Sequence, residues 1–154
     1  MERTVVRFRK LHPKAEVPSY MSTGASGCDA IACLEESLEI APGGRAAIST
    51  GLSIAIPAGY EIQVRPRSGL AWKKGLTVVN APGTIDSDYR GEVKILVVNL
   101  GADTVKIEPG DRIAQLVLQK VDLIDWQEVE SLDETNRGTG GFGSTGVTKD
   151  PLPI

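Results

Sequence analysis

Short runs of Val, Ile and Leu, each closed by a Gly or Pro turn, recur along this chain, while the 3.6-residue spacing of an amphipathic helix is nearly absent. Such a chain can bury its apolar side chains only by pleating them into sheets, so the expectation is an all-β sandwich or barrel. The runs predict strands over 5–9, 28–32, 45–55, 60–65, 77–79, 92–99, 105–107 and 112–120. Pro42-Gly43-Gly44, Pro57-Ala58-Gly59 and Pro109-Gly110-Asp111 read as compact turns between them. One short helix is expected over 69–74, with Ser68 as its cap and Gly75 as its stop.

At 154 residues the chain fits one domain able to bury a core without disulfides. A net charge of −3 argues against a nucleic-acid binder, which normally carries a basic stripe. No run of about 18 apolar residues is present, so no membrane span is expected. The first eight residues alternate charged and apolar side chains without a signal-like apolar block, which makes the cytoplasm the expected compartment. Cys28 and Cys33 are five apart, a spacing that sends them to opposite faces of a strand; both read as buried apolar filler. His12 is the single histidine, too few for a metal triad, and reads as a surface loop residue.

Residues 137–146, Arg-Gly-Thr-Gly-Gly-Phe-Gly-Ser-Thr-Gly, cannot pack a core, because glycine brings no side chain to bury and loses the most entropy on ordering. They can wrap a ligand. The glycines admit backbone N–H groups to phosphate oxygens, Arg137 supplies a two-pronged donor, and Phe142 offers a face to a base. Gly138, Gly140 and Gly143 match G-x-G-x-x-G, but no strand precedes them and no helix follows, so a dinucleotide fold is rejected.

Four further segments carry chemistry. Arg67-Ser68-Gly69 falls where a strand ends and the expected helix begins, a place of free N–H groups suited to an anion. Residues 80–92 read as a tight hairpin: Pro82-Gly83 makes the first turn and 86–91 the return. Within it Asn80 can pair with a base edge, Asp86 after the apolar Ile85 is expected to point inward and deprotonate a water, and Tyr89 offers a flat ring to a sugar. Gln115 stands on a strand from which it can face a site, and Asp29 follows a glycine turn in a position suited to a metal-bound water.

Taken together, these five segments resemble the motifs of the trimeric dUTP nucleotidohydrolase (dUTPase) family, in the family order and over nearly the whole chain. The stretches 83–91 and 137–146 are the most specific. Cys28 departs mildly from the tyrosine that the family often has there. The resemblance implies a jelly-roll-like distorted β-barrel subunit over 1–134 and a flexible glycine-rich tail over 135–154 that closes over the active site. It implies a homotrimer with sites at subunit interfaces. It also implies hydrolysis of dUTP to dUMP and pyrophosphate, which limits uracil in DNA and supplies dUMP for dTMP synthesis. By the same resemblance Asp86 activates the water that attacks the α-phosphorus. Asn80 and backbone near Lys94 read uracil, with Gly83, Thr84 and Ile85 shaping the pocket, and Tyr89 packs on the deoxyribose. Arg67, Ser68, Gly69 and Gln115 hold phosphates. Arg137 clamps the γ-phosphate, Phe142 stacks on uracil, and Gly143, Ser144 and Thr145 add contacts. Mg²⁺ arrives on the triphosphate, with Asp29 reaching it through water. A deaminase of dCTP is the nearest rival; it resembles this chain around residues 66–68 but lacks the arginine–phenylalanine tail.

Overall fold

The computed structural model describes residues 3–144 and Gly146; Thr145 lies outside the described residues. Ten strands and one helix follow in order: β1 (Arg7–Lys10), β2 (Cys28–Ile31), β3 (Leu38–Ile40), β4 (Arg45–Ala55), β5 (Tyr60–Arg65), α1 (Ser68–Lys74), β6 (Leu76–Val78), β7 (Gly83–Ile85), β8 (Glu92–Asn99), β9 (Val105–Ile107) and β10 (Arg112–Lys120). Strand β3, with Leu38 and Ile40 flanking Glu39, was not expected from the sequence: three residues are too few for an alternation to stand out.

The strands form two antiparallel four-stranded sheets, β1-β4-β8-β6 and β2-β10-β5-β7, and a two-stranded ladder β3-β9. Among these pairs no strand is bonded to its neighbour in sequence, so every ladder closes a long loop of chain. The inner faces share one core. Ile48, Ile54, Val93, Ile95 and Val97 from the first sheet belong to the same cluster as Ile62, Val64, Ile85 and Leu116 from the second. Ile48 and Ile95 are completely buried. Each such aliphatic side chain contributes roughly 1.5–3 kcal/mol by leaving water. The jelly-roll-like, all-β architecture with a single short helix follows from this pairing.

Two local expectations are corrected. The segment 80–92 is not a hairpin. Gly83–Ile85 pairs with β5 in the second sheet, Ile85 opposite Ile62 and Gly83 opposite Val64, while the flanking β6 and β8 pair with each other in the first. The chain thus crosses between sheets and returns, and Ala81-Pro82 at the crossing is cis. Ser68 does not cap the helix either. Arg67 holds the N-cap position with extended backbone (φ −91°, ψ 126°), its carbonyl accepts the Ala71 N–H, and no side chain caps the end. Gly75 stops the helix as expected, at φ +67°. An added Cβ there would lie 2.4 Å from the Gly101 nitrogen, so only glycine fits.

The cysteines are half-buried rather than buried, and both are free thiols. Cys28 lies on β2; Cys33 lies past its end, in contact with His12 Nδ1 at 3.6 Å. Burial pushes both thiols up from their ordinary pKa, with Glu92 adding to the effect at Cys33.

The chain divides into two compact units, Met1–Asp122 and Leu123–Ile154. The first holds every strand and the helix. In the second, successive turns follow one another: Gly138 N–H donates to Thr135 O, Gly140 N–H to Arg137 O, Ser144 N–H to Gly141 O. No helix among the described residues is long and apolar enough to cross a membrane.

Candidate active site

The site residues fall into groups set by sheet register. In the second sheet, Asp29 on β2 is opposite Gln115 on β10, which is opposite Arg65 at the end of β5. Arg67, two residues beyond, turns back onto this row. Its Nη1 donates to the Arg112 carbonyl at 2.6 Å, and its Nε lies 3.6 Å from Asp29 Oδ2. Asp29 is only 3% exposed, yet its charge is matched. Arg112 Nη1 donates to Oδ2 at 3.1 Å and Gln115 Nε2 to Oδ1 at 3.2 Å. A buried carboxylate needs such partners, since desolvation without them costs several kcal/mol, of order 3–5 when one partner is removed. Two guanidinium groups around one carboxylate leave the cluster cationic, which suits an anionic ligand. Ser68 and Gly69 follow on the first turn of α1, both exposed, and a Cβ at Gly69 would meet open space.

Arg112 is the residue the sequence reading missed here. On a regular strand a residue three before Gln115 points to the opposite face. A register shift between Arg112 and Ala114 inserts one residue, so Arg112 and Gln115 both reach Asp29.

The second group lines a cleft of about 550 Å³. Thr84, Ile85, Asp86, Tyr89 and Lys94 line it, together with Glu92, Val93 and Leu96, which sequence reading did not single out. Their signal was weak, because alternation along β8 marks a half-buried strand without saying which exposed positions border a cavity. Asp86 is exposed on the cleft wall rather than pointing inward. Ile85 takes the core side of β7 at 8% exposure, and the next residue of an extended chain faces the other way. Tyr89 is exposed at the cleft and held: its Oη–H donates to the Glu92 carbonyl at 2.9 Å. The ring lies so close over Gly91 that an added Cβ would sit 2.4 Å from Oη. Glu92 is itself fixed, accepting the Gly51 N–H at 3.1 Å and lying 3.6 Å from Lys94 Nζ. Asn80 does not line this cleft; its amide folds against Gly83, where a Cβ would be 3.0 Å from Nδ2.

The two groups stand apart on one chain. Asp86 follows Ile85, which is opposite Ile62, whereas the Asp29–Gln115 row meets β5 at Arg65. Three steps of strand separate Ile62 from Arg65, roughly 10 Å. Considered by itself, the second unit holds Arg137 with Nε donating to the Gly140 carbonyl at 2.8 Å. Phe142 is exposed at φ +49°, a left-handed conformation that costs a non-glycine residue on the order of 1 kcal/mol, and Gly143 and Ser144 follow it in the same turn. Among the described residues no three His, Cys, Asp or Glu side chains gather as a metal site.

Cationic donors around a strand–helix junction, and an exposed carboxylate beside an aromatic ring in a cleft, give this β-sandwich the layout of a nucleotide hydrolase. Known proteins agree. The family model described as dUTPase matches residues 13–146. A deoxyuridine 5'-triphosphate nucleotidohydrolase of Wolinella succinogenes is 58% identical over 146 residues, covering 95% of this chain and 97% of the relative. The protein of that name from Desulfotalea psychrophila is 60% identical over 131 residues, covering 85% and 87%. Among solved structures, the Staphylococcus bacteriophage 80alpha dUTPase with dUPNHPP superposes with a TM-score of 0.84 at 26% identity, covering 94% of this chain and all of that one. The chain belongs to the dUTPase family of dUTP diphosphatases.

Proposed function

We propose that this chain hydrolyses dUTP to dUMP and pyrophosphate, with Asp86 as general base, in a homotrimer whose active sites form between subunits. The observation that carries the reading is the separation of the two residue groups on one chain. The base-bearing cleft and the phosphate cluster meet β5 about 10 Å apart along the strand, and a second copy that brings its cleft beside the cluster would set base and phosphate donors on one triphosphate. An uncovered strip on the first sheet, with Leu96 41% and Val79 49% exposed, gives that copy an apolar surface to cover.

In this mechanism Asp86 takes a proton from a water whose oxygen bonds to the α-phosphorus. The bond from that phosphorus to the oxygen bridging to the β-phosphate breaks, and pyrophosphate leaves with the electron pair. General-base assistance of this kind contributes about 10²–10⁴-fold. Arg67, Ser68, Gly69 and Gln115 hold the phosphates, their cationic surroundings neutralising charge as it shifts toward the leaving group. Asn80 and main-chain groups near Lys94 read uracil, Gly83, Thr84 and Ile85 shape the pocket, and Tyr89 covers the deoxyribose and excludes a 2′-hydroxyl.

The tail over 135–154 closes on the triphosphate. Arg137 clamps the γ-phosphate, Phe142 stacks on uracil, and Gly143 and Ser144 add phosphate contacts, as does Thr145 from outside the described residues. Magnesium would enter on the triphosphate and there supply neutralisation of phosphate charge. Asp29 Oδ1 accepts one hydrogen bond and so keeps a lone pair for a metal-bound water. Both cysteines are unpaired, as suits work in the reducing cytoplasm.

Pyrophosphate release measured side by side on dUTP, dCTP, dTTP and UTP tests the proposal. Turnover of dUTP far above the rest is expected, because a pocket built on hydrogen bonds rejects analogues that leave its polar groups unpaired. Ammonia release from dCTP, or comparable rates on UTP or dTTP, would overturn it.

A further inference from the structure

We propose that Arg112 is a positioning residue of the phosphate site, acting on substrate through Arg67 and Asp29 rather than touching it. Arg112 grips this cluster twice. Its guanidinium donates to Asp29 Oδ2 at 3.1 Å, and its own main-chain carbonyl accepts Arg67 Nη1 at 2.6 Å. Asp29 in turn lies 3.6 Å from Arg67 Nε and accepts Gln115 Nε2 at 3.2 Å. The result is a ring in which both proposed phosphate donors, Arg67 and Gln115, have their angles set by contacts that lead back to one residue.

The bulge at the start of β10 makes this possible. It turns Arg112 onto the Gln115 side of the strand, while the Arg112 carbonyl accepts from Arg67 beyond the point where β5 leaves the ladder. An arginine suits the task because its planar fork holds a carboxylate at a fixed angle, which an ammonium does not. Removing it would leave Asp29, 3% exposed, with Arg67 as its sole guanidinium, and Arg67 would be drawn toward Asp29 and away from ligand. The inference rests on the proposed role of Arg67 and Gln115 in holding phosphates.

The experiment is a double-mutant cycle read by binding. Dissociation constants for a non-hydrolysable imido analogue of dUTP and for dUMP are measured on the full-length protein and on Arg112→Gln, Arg67→Ala and the double variant. Arg112→Gln should weaken the triphosphate analogue about tenfold and dUMP less than about twofold, since coupling between contacting residues reaches that size. In the Arg67→Ala background the same change should add less than about twofold. Arg112→Lys, which keeps the charge without the fork, should fall between and carries the same cycle if the glutamine variant does not fold. Equal losses for dUMP and the analogue, no loss, or full additivity with Arg67→Ala would each overturn the inference. A wild-type protein that neither binds the analogue nor hydrolyses dUTP would instead strike the functional reading on which it rests.

Discussion

Gly91 is where a single methyl group should reach the site without touching the core. A Cβ at residue 91 would lie 2.4 Å from Tyr89 Oη, 2.6 Å from Cζ and 2.9 Å from Cε2, distances that no real contact tolerates. The phenol is the free end of its side chain, so in Gly91→Ala the ring swings aside and the backbone stays. Its hydrogen bond to the Glu92 carbonyl, 2.9 Å long and exposed, is then lost, at a cost of about 0.5–1.5 kcal/mol. For a domain of this size that lowers Tm by only roughly 2–4 °C per kcal/mol. The functional effect should be larger in proportion. An aromatic platform contributes on the order of 0.5–1.5 kcal/mol beyond simple burial, so its displacement should raise KM for dUTP up to about tenfold. Discrimination against UTP should shrink as well if, as proposed, the Tyr89 ring fills the space of a 2′-hydroxyl. Steady-state pyrophosphate release on dUTP and UTP, with thermal unfolding alongside, reads all three quantities. Tyr89→Ala is the control: in that background Gly91→Ala has no ring to displace and should change nothing further. Unchanged selectivity in Gly91→Ala, or the same loss with the ring already gone, would refute the reasoning.

Asp86→Asn keeps the shape of the cleft and removes the proposed base, so kcat should fall roughly 10²-fold or more while the imido analogue still binds; near-normal turnover would move the base role to Asp88. Gly75→Ala places a Cβ against main-chain atoms of Leu100 and Gly101 at a φ of +67°, and should destabilise by at least about 2 kcal/mol, seen as a clear fall in Tm; an unchanged Tm would show that the junction yields. A chain stopped at Glu134 should fold, since the last strand among the described residues ends at Lys120, yet lose most activity; full kcat/KM in that truncation would make the tail an inert extension. Light scattering of the full chain should report a trimer at micromolar concentration, and a monomer would remove the shared site.

Much of the fold was written in local alternation. The strands over 45–55, 60–65, 92–99, 105–107 and 112–120 are placed as expected, because Val, Ile and Leu every second residue can be buried only in a pleat. The αL stop at Gly75 was legible for the same kind of reason: a backbone preference acts within a few residues. Residue types suited to a nucleotide site, Arg67, Asp86, Tyr89 and the arginine–phenylalanine tail, were likewise visible as chemistry, and the proposed function uses them in those roles. What sequence could not say is which strand meets which. Residues 80–92 look like a hairpin because their turn residues are real, but turn propensity is silent about partners, and β7 is claimed by β5 across the core. Asp86 faces outward because Ile85 wins the core side of that strand, a contest settled by burial and not by neighbouring letters. Arg112 joined the site only through a bulge, which shifts one side chain to the other face and leaves no mark in the periodicity. Local pattern determines the pieces because propensity and alternation act over a few residues. Pairing, register and the meeting of Asp29 with Arg67 and Gln115 were decided by the tertiary structure, where the gain from one shared core outweighs what any short segment prefers.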